Sequence, residues 1–334
     1  MIQCISDPCS SLFHPSRFYI MQKFCYTRHQ TKETLIDFLT RRFPYQSRES
    51  WLKSIKLGAI KLNSQVSEPS CVLASKDVIS YERLRSDEPK VDTTYNILFS
   101  DPVILVVEKN GNIPIAESGR YYRNTLINIL KEEEGLKELY AVHRLDKETS
   151  GVLLISRTKE VATILGQQFV KQIPQKTYHA ILKGEVAEPS VLVDQPIGKC
   201  TEEQSRIRIR QVVRSDGKPS KSHFQRVKVS DGLTLVKVQT FSGRTHQIRC
   251  HAEFLGHPII GDKLYGQEDD RFLEFLNGTG EPLFPPFGKI ERQLLHASSL
   301  SFHHPVSGEE MRFESDFYPE FSRFEAIKDW LDRQ

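Results

Sequence analysis

One carboxylate in this chain stands in unusual company. In "HRLDKETSGVLLISRT", which begins at His143, Asp146 follows His143 and Arg144, and Thr149-Ser150-Gly151 leads into an apolar run. A carboxylate so placed either closes a surface salt bridge, here with Arg144, or works as an ionised nucleophile or base in a shielded site. What carries Asp146 bears on the choice. "GVLLIS" is a continuous apolar run of the kind a central strand shows. "KEVATILGQQFVKQ" then places Val161, Ile164, Leu165 and Phe169 at helical spacing. Asp146 is therefore expected in a loop just before a buried strand, where rigid elements commonly hold catalytic groups.

Other elements surround this unit. From Glu33 the pattern is helical, with Leu35, Phe38 and Leu39 on one face and Pro44 as a breaker. Ser47 reads as the N-cap of a second helix carrying Leu52 and Ile55, and Gly58 as its C-terminal stop. Short strands follow, with a turn at Asn63-Ser64 and a last run at Val78-Ile79-Ser80-Tyr81. Residues 1–30 read as a loose tail, 31–82 as a small domain, 83–94 as a polar linker and 95–330 as the main domain. Within the main domain, strand-like runs flank Asp101-Pro102, and "NTLINILKEE" is an amphipathic helix. "KTYHAILKG" alternates as a strand, with Tyr178, Ala180 and Leu182 on one face, and "LTLVKVQT" and "LLHASSLSFHHP" read as strands. "RIRIR" alternates as well, putting Arg206, Arg208 and Arg210 on one face, and "FSGRTHQIRCHAEFLGHPIIGD" reads as turn-like. Helices and strands mix without regular βαβ alternation, which points to the α+β class.

Composition narrows the function. The chain has 334 residues, 38% hydrophobic and 27% charged, with a net charge of only +3, so a nucleic-acid partner must be read from local clusters. One cluster is present: Arg41, Arg42, Arg48, Lys53, Lys56 and Lys61 crowd the N-terminal helices and the following strand, either as a solvated face or as a phosphate contact surface. The six cysteines form no C-x-x-C pair, so reduced thiols and a cytoplasmic setting are expected rather than a zinc site or disulfide framework. No apolar run is long enough to span a membrane. His246, His251 and His296 lack the carboxylate or cysteine spacing of a metal site, so no metal is expected.

Two resemblances sharpen this. "TLIDFLTRRFPYQSRESWLKSIKLGAIKLNSQV", from Thr34, resembles the alpha-L RNA-binding domain of a small-subunit ribosomal protein and of many RNA-modifying enzymes, with Asn63-Ser64 in place of the usual Asn-Gly. "HRLDKETSGVLLISRT" resembles the signature loop of the RluA-type pseudouridine synthases. Further matches follow in family order: "QKTYHAILKG", "FSGRTHQIRCHAEFLGHPIIGDKLYG" and "LLHASSLSFHHPVSGEEMRFES". The family's Lys-Pro-x-Gly is matched only at Lys109 and Gly111.

The resemblance implies a mixed, mainly antiparallel central sheet with flanking helices, and conversion of uridine in rRNA or tRNA to pseudouridine. It implies Asp146 as the catalytic carboxylate, Arg249 as its guanidinium partner, and Tyr178 and Ile248 against the base. Arg144 and His143 flank the carboxylate and are candidates for holding an extruded nucleotide, although His143 reads equally well as a structural histidine. Arg48, Lys53, Lys56 and Lys61 are the candidate RNA contacts of the small domain. The reaction breaks the bond from ribose to a uracil nitrogen, turns the base and rejoins it through carbon. It needs no cofactor, and a monomer without an obligate protein partner is expected. Whether Asp146 acts on the ring or on the sugar is open at this level. The competing readings are a catalytically silent RNA-binding protein on the same scaffold and a carboxylate-dependent nucleoside hydrolase.

Overall fold

The computed structural model describes residues 19–26, 32–43, 46–84, 88–119, 121–201 and 204–333. The expected breaker Pro44 and most of the expected loose tail lie outside them. The chain divides into two compact units, Met1–Glu88 and Pro89–Gln334.

The first unit contains β1 (Tyr19–Cys25), α1 (Leu35–Arg42), α2 (Arg48–Lys56), β2 (Ile60–Leu62), β3 (Gln65–Val66) and β4 (Val78–Leu84). The strands form one antiparallel sheet in the order β1-β4-β2-β3. Two boundaries differ from expectation. Tyr19–Cys25, read as tail, pairs along the whole of β4, and β4 extends through Leu84 into the stretch read as linker. Local composition conceals both, because the pairing partners lie far apart in sequence. Each helix is capped as its sequence suggests. Thr34 Oγ1 accepts from the Asp37 N–H and Ser47 Oγ from the Ser50 N–H. Leu35, Leu39, Trp51, Ile55, Ile60 and Ile79 close the core of this unit.

The second unit contains β5 (Tyr95–Ser100), β6 (Ile104–Lys109), α3 (Leu126–Glu133), β7 (Tyr140–Ala141), β8 (Ser150–Ser156), α4 (Lys159–Val170), β9 (Gln175–Lys183), β10 (Ser190–Asp194), β11 (Ile197–Lys199) and β12 (Gln211–Val213). It continues through β13 (Lys221–Ser230), β14 (Leu233–Thr240), α5 (Gln247–Phe254), α6 (Asp269–Asn277), β15 (Leu295–His303), β16 (Glu310–Glu314), α7 (Tyr318–Phe321) and α8 (Glu325–Asp332). The main sheet runs β10-β13-β14-β9-β15-β8-β6-β5, with β16 on β15 and β7 on β8. Its pairings are antiparallel except β8 with β15, so the α+β class and the mainly antiparallel sheet are both observed.

Both faces of this sheet are covered, which explains the unbroken apolar run of β8. Leu105 and Val107 of β6 and Leu153 and Ile155 of β8 pack with α3. Their neighbours Ile104, Val106, Val152 and Leu154 pack on the other face with Val161 and Leu165 of α4. Ala180 and Leu182 of β9 meet Ile248 and Ala252 of α5. Ile181 between them meets Phe321 of α7 and Trp330 of α8.

Two local expectations are corrected. "RIRIR" is not a strand; the nearest strand is Gln211–Val213. Its groups are taken by acidic partners instead: the Arg206 N–H donates to Asp269 at 2.7 Å, and the Arg210 guanidinium to Glu253 at 2.6 Å. The turn-like "HQIRCHAEF" holds helix α5, whose Ile248 and Ala252, with Leu255 just past its end, recur at i, i+4 and i+7 on the core-facing side.

Gly151 shows why small residues follow Asp146. It sits at φ +107°, and a Cβ there would lie 2.2 Å from the Ala297 carbonyl oxygen, at the point where β8 and β15 run parallel. Gly151→Ala is expected to cost about 2–4 kcal/mol through combined backbone strain and overpacking. Urea unfolding of the wild type and the variant measures it.

Candidate active site

The loop from His143 to Thr149 delivers Asp146 to one wall of a cavity of about 820 Å³. Tyr178 of β9, Ile248 and Arg249 of α5, and His143 line the same cavity, so with Arg144 all six predicted catalytic and substrate-binding residues converge. Arg144 lines it from an exposed position.

Arg249 organises the centre. Its Nη1 donates to Asp146 Oδ2 at 2.8 Å. Its Nε and Nη2 donate to the two oxygens of Asp262 at 2.6 and 2.8 Å, a bidentate contact. Asp262 is fully buried and also accepts the backbone N–H groups of Leu264 and Tyr265 at 2.8 and 3.0 Å. The guanidinium lies over the Tyr265 ring, 4.9 Å from its centre. One planar fork thus holds one carboxylate bidentately and presents a further N–H to a second, a fixed geometry that a lysine ammonium lacks.

This arrangement sets the charge on Asp146. Burial pushes its carboxyl up, but the Arg249 guanidinium and its hydrogen bond, with His246 and Arg144 adding to them, outweigh burial and hold Asp146 down at about 2. It is therefore ionised at any ordinary pH, although its side chain is only 20% exposed. Burial also acts on Arg249, yet the two carboxylates raise its guanidinium well above the ordinary value. Among the described residues no side chain donates to Asp146 Oδ1. Tyr178 is pushed up by burial and by Asp146, so its hydroxyl keeps its proton.

The loop is gripped from behind. The fully buried Lys109 donates to the Asn110 and Lys147 carbonyls at 2.7 and 2.9 Å. Arg292 donates to the Glu148 carbonyl at 3.2 Å, and Gln293 to Thr149 Oγ1 at 2.7 Å. Lys263 pairs with the Glu148 carboxylate at 2.5 Å. A Cβ at Gly111 would lie 2.4 Å from Arg292 Nε, which accounts for the glycine beside Lys109.

His143 lines the cavity as well, but its ring is tied to the protein. Its Nε2 accepts the Leu154 N–H at 3.0 Å, and its ring stacks on Phe169 with centres 4.9 Å apart. Burial pushes it down to about 3, so the ring is neutral. Of the small-domain cations, Arg48 pairs with Asp37 at 2.8 Å, and Lys53 and Lys56 are exposed near the end of α2. Lys61 is half-buried on β2.

Sequence reading missed Asp262, Tyr265 and His246 as parts of the site. Asp262 and Tyr265 lay in a stretch recognised only as a family match. The signal was a carboxylate inside "PIIGDKLYG", where an apolar run makes an unpaired charge costly. Lys176, beside Tyr178 on β9, also lines the cavity, and burial pushes it down to about 8. Among the described residues no group of three or more His, Cys, Asp or Glu could hold a metal ion.

Asp262→Asn leaves the Arg249 charge without its buried partner. The expected cost is about 3–5 kcal/mol in urea unfolding at pH 7, more than most surface changes cause.

Comparison with known proteins agrees with this geometry. A family model described as RNA pseudouridylate synthase matches residues 103–254. The ribosomal large subunit pseudouridine synthase D of Xanthomonas campestris is 30% identical over 82% of this chain and 82% of its own. The mitochondrial tRNA pseudouridine(32) synthase of Saccharomyces cerevisiae is 28% identical over 75% of this chain, which spans 54% of that relative. Among solved structures, human RNA pseudouridylate synthase domain containing 1 superposes with a TM-score of 0.52 at 26% identity, over 69% of this chain and 86% of that one. The chain belongs to the RluA-type family of RNA pseudouridine synthases.

Proposed function

We propose that this chain isomerises particular uridines of ribosomal or transfer RNA to pseudouridine, with Asp146 as the catalytic carboxylate. The observation that carries the reading is the ionised Asp146, held by Arg249 on the wall of a cavity large enough for a nucleotide. Cleavage of the bond from ribose to uracil calls for a carboxylate that is charged, oriented and free on one side, and Asp146 meets each condition. Its bond to Arg249 engages Oδ2 and leaves Oδ1 for the nucleoside.

Tyr178 supplies a flat ring and a protonated hydroxyl beside the carboxylate, suited to stack on the uracil and to hydrogen-bond it. Ile248 gives an apolar second side. The uridine must leave its stack to enter, and Arg144, exposed at the mouth, suits a phosphate or a neighbouring base. His143 in this reading holds the loop, because its Nε2 accepts the Leu154 N–H and its ring stacks on Phe169.

We read the small domain as an RNA-binding domain, with Arg48, Lys53, Lys56 and Lys61 as its candidate phosphate contacts; Lys53 and Lys56 are exposed on α2. The relatives named above act on large-subunit ribosomal RNA and on tRNA, so both substrate classes enter the proposal. The thiols at Cys71, Cys200 and Cys250 are free, in keeping with a reducing compartment such as the cytoplasm. No helix among the described residues is long and apolar enough to cross a membrane.

The test is pseudouridine mapping across all RNA in source cells lacking the protein, rescued with the wild type or with Asp146→Asn. Discrete sites should vanish, return with the wild type and stay absent with the Asn form. Full restoration by Asp146→Asn, or no change at any site, would remove the proposal.

A further inference from the structure

One more polar ring faces the Asp146 cavity, and its surroundings decide where its proton sits. His246, the residue before α5, has φ +55°, a left-handed conformation that a residue with a side chain keeps only where its neighbours impose it. Its ring stands edge-on to Tyr265, with centres 5.7 Å apart. Its Nδ1 is 3.0 Å from the Tyr265 hydroxyl. The backbone N–H of Gln211 donates to that same hydroxyl at 3.0 Å.

These two contacts fix a direction. A backbone N–H can only donate, so the Tyr265 oxygen accepts from Gln211. Tyr265 is buried, so its own proton needs an acceptor, and His246 Nδ1 is the one in reach. A neutral ring that accepts at Nδ1 carries its proton at Nε2.

His246 Nε2 lies 3.9 Å from Asp146 Oδ2, and the ring lines the cavity. That separation is too long for a hydrogen bond, and Oδ2 is already held by Arg249. Among the described residues Nε2 has no other acceptor. The groups facing the ring are Arg249 from its own helix, Asp146 and Arg144 from the loop before β8, and Asp262 and Tyr265 from the segment after α5. Burial and Arg249 push His246 down to about 4, so the ring is neutral at pH 7 and does not compete with Arg249 for the carboxylate.

We propose that His246 donates its Nε2–H to a carbonyl oxygen of the target uracil while the base is detached and turned beside Asp146. The proposal rests on the reading of Asp146 given above. Uracil offers two carbonyl oxygens, and both become stronger acceptors when the base departs with negative charge. A preorganised donor in a site shielded from water acts on that change.

Two measurements on the full chain test it. In protein labelled with ¹⁵N-histidine, the His246 ring signals, assigned by their loss in His246→Gln, should report the Nε2–H tautomer at pH 7. With total RNA from source cells lacking the protein, His246→Ala should lower the single-turnover rate of pseudouridine formation about 100-fold. His246→Gln places an amide N–H near the Nε2 position and should recover most of that loss. The affinity for RNA should change by less than about threefold, because the donor works while the base is in motion. An Nδ1–H tautomer or an imidazolium at pH 7 overturns the proposal, and this is read on the wild-type chain even if His246→Ala does not fold. A wild-type rate for His246→Ala beside an inert Asp146→Asn also overturns it and leaves the Asp146 reading standing. A wild-type rate for Asp146→Asn removes the Asp146 reading and this inference with it.

Discussion

A buried guanidinium shared by two carboxylates is the interaction on which the rest of the site depends. Arg249 could not be carried so deep on one partner that must also stay available to a substrate. Asp262 resolves the conflict by taking two of the guanidinium's N–H groups and two backbone N–H groups. That pairing offsets the cost of burying both charges. The third edge of the fork then points at Asp146 without being needed for the stability of the cation. The consequence for Asp146 is electrostatic and geometric together. It stays ionised against the pull of burial, and it is oriented through a single oxygen.

The sheet supplies the second constraint, which is position. Asp146 belongs to a loop and Arg249 to a helix, 103 residues apart in sequence. β8 and β9 both pair with β15, which sets the Asp146 loop and the Tyr178 strand in one register. Gly151 allows β8 and β15 to approach there, and Lys109, Arg292, Gln293 and Lys263 tie down the loop itself. All of these contacts grip backbone carbonyls or side chains other than Asp146. They hold the chain in place while leaving the carboxylate to Arg249.

Much of this was legible in the sequence, and for definite reasons. Periodicity marked β6, α3, β8, α4, β9 and β14 because both sheet faces are covered and each element repeats its own spacing. The position of Asp146, in a loop ahead of a buried strand, was legible from the apolar run behind it, while its catalytic role came from family resemblance. Arg249, Tyr178 and Ile248 came from family resemblance, and the structure gathers them around one cavity. What escaped was non-local. Arg206 and Arg210 alternate like strand residues, yet carboxylates on α6 and α5 claim them. α5 looked like a turn because Gly243 and the polar Arg244-Thr245-His246 precede it, although Ile248, Ala252 and Leu255 carry a helical period. Asp262 stood out only as a charge inside an apolar run, and its role stayed hidden because its partner lies 13 residues away and its burial is a tertiary outcome.

The account stands most directly on the charge of Asp146. In protein carrying ¹³C at the aspartate carboxyl carbons, the Asp146 signal can be assigned by its loss in Asp146→Asn and followed as pH falls. The account predicts that Asp146 remains ionised at pH 4, near the value where a free aspartate is about half protonated, because Arg249, with smaller help from His246 and Arg144, holds it at about 2. Protonation of Asp146 at or above pH 4 in the wild type would contradict the relay from Asp262 through Arg249 and the catalytic reading built on it.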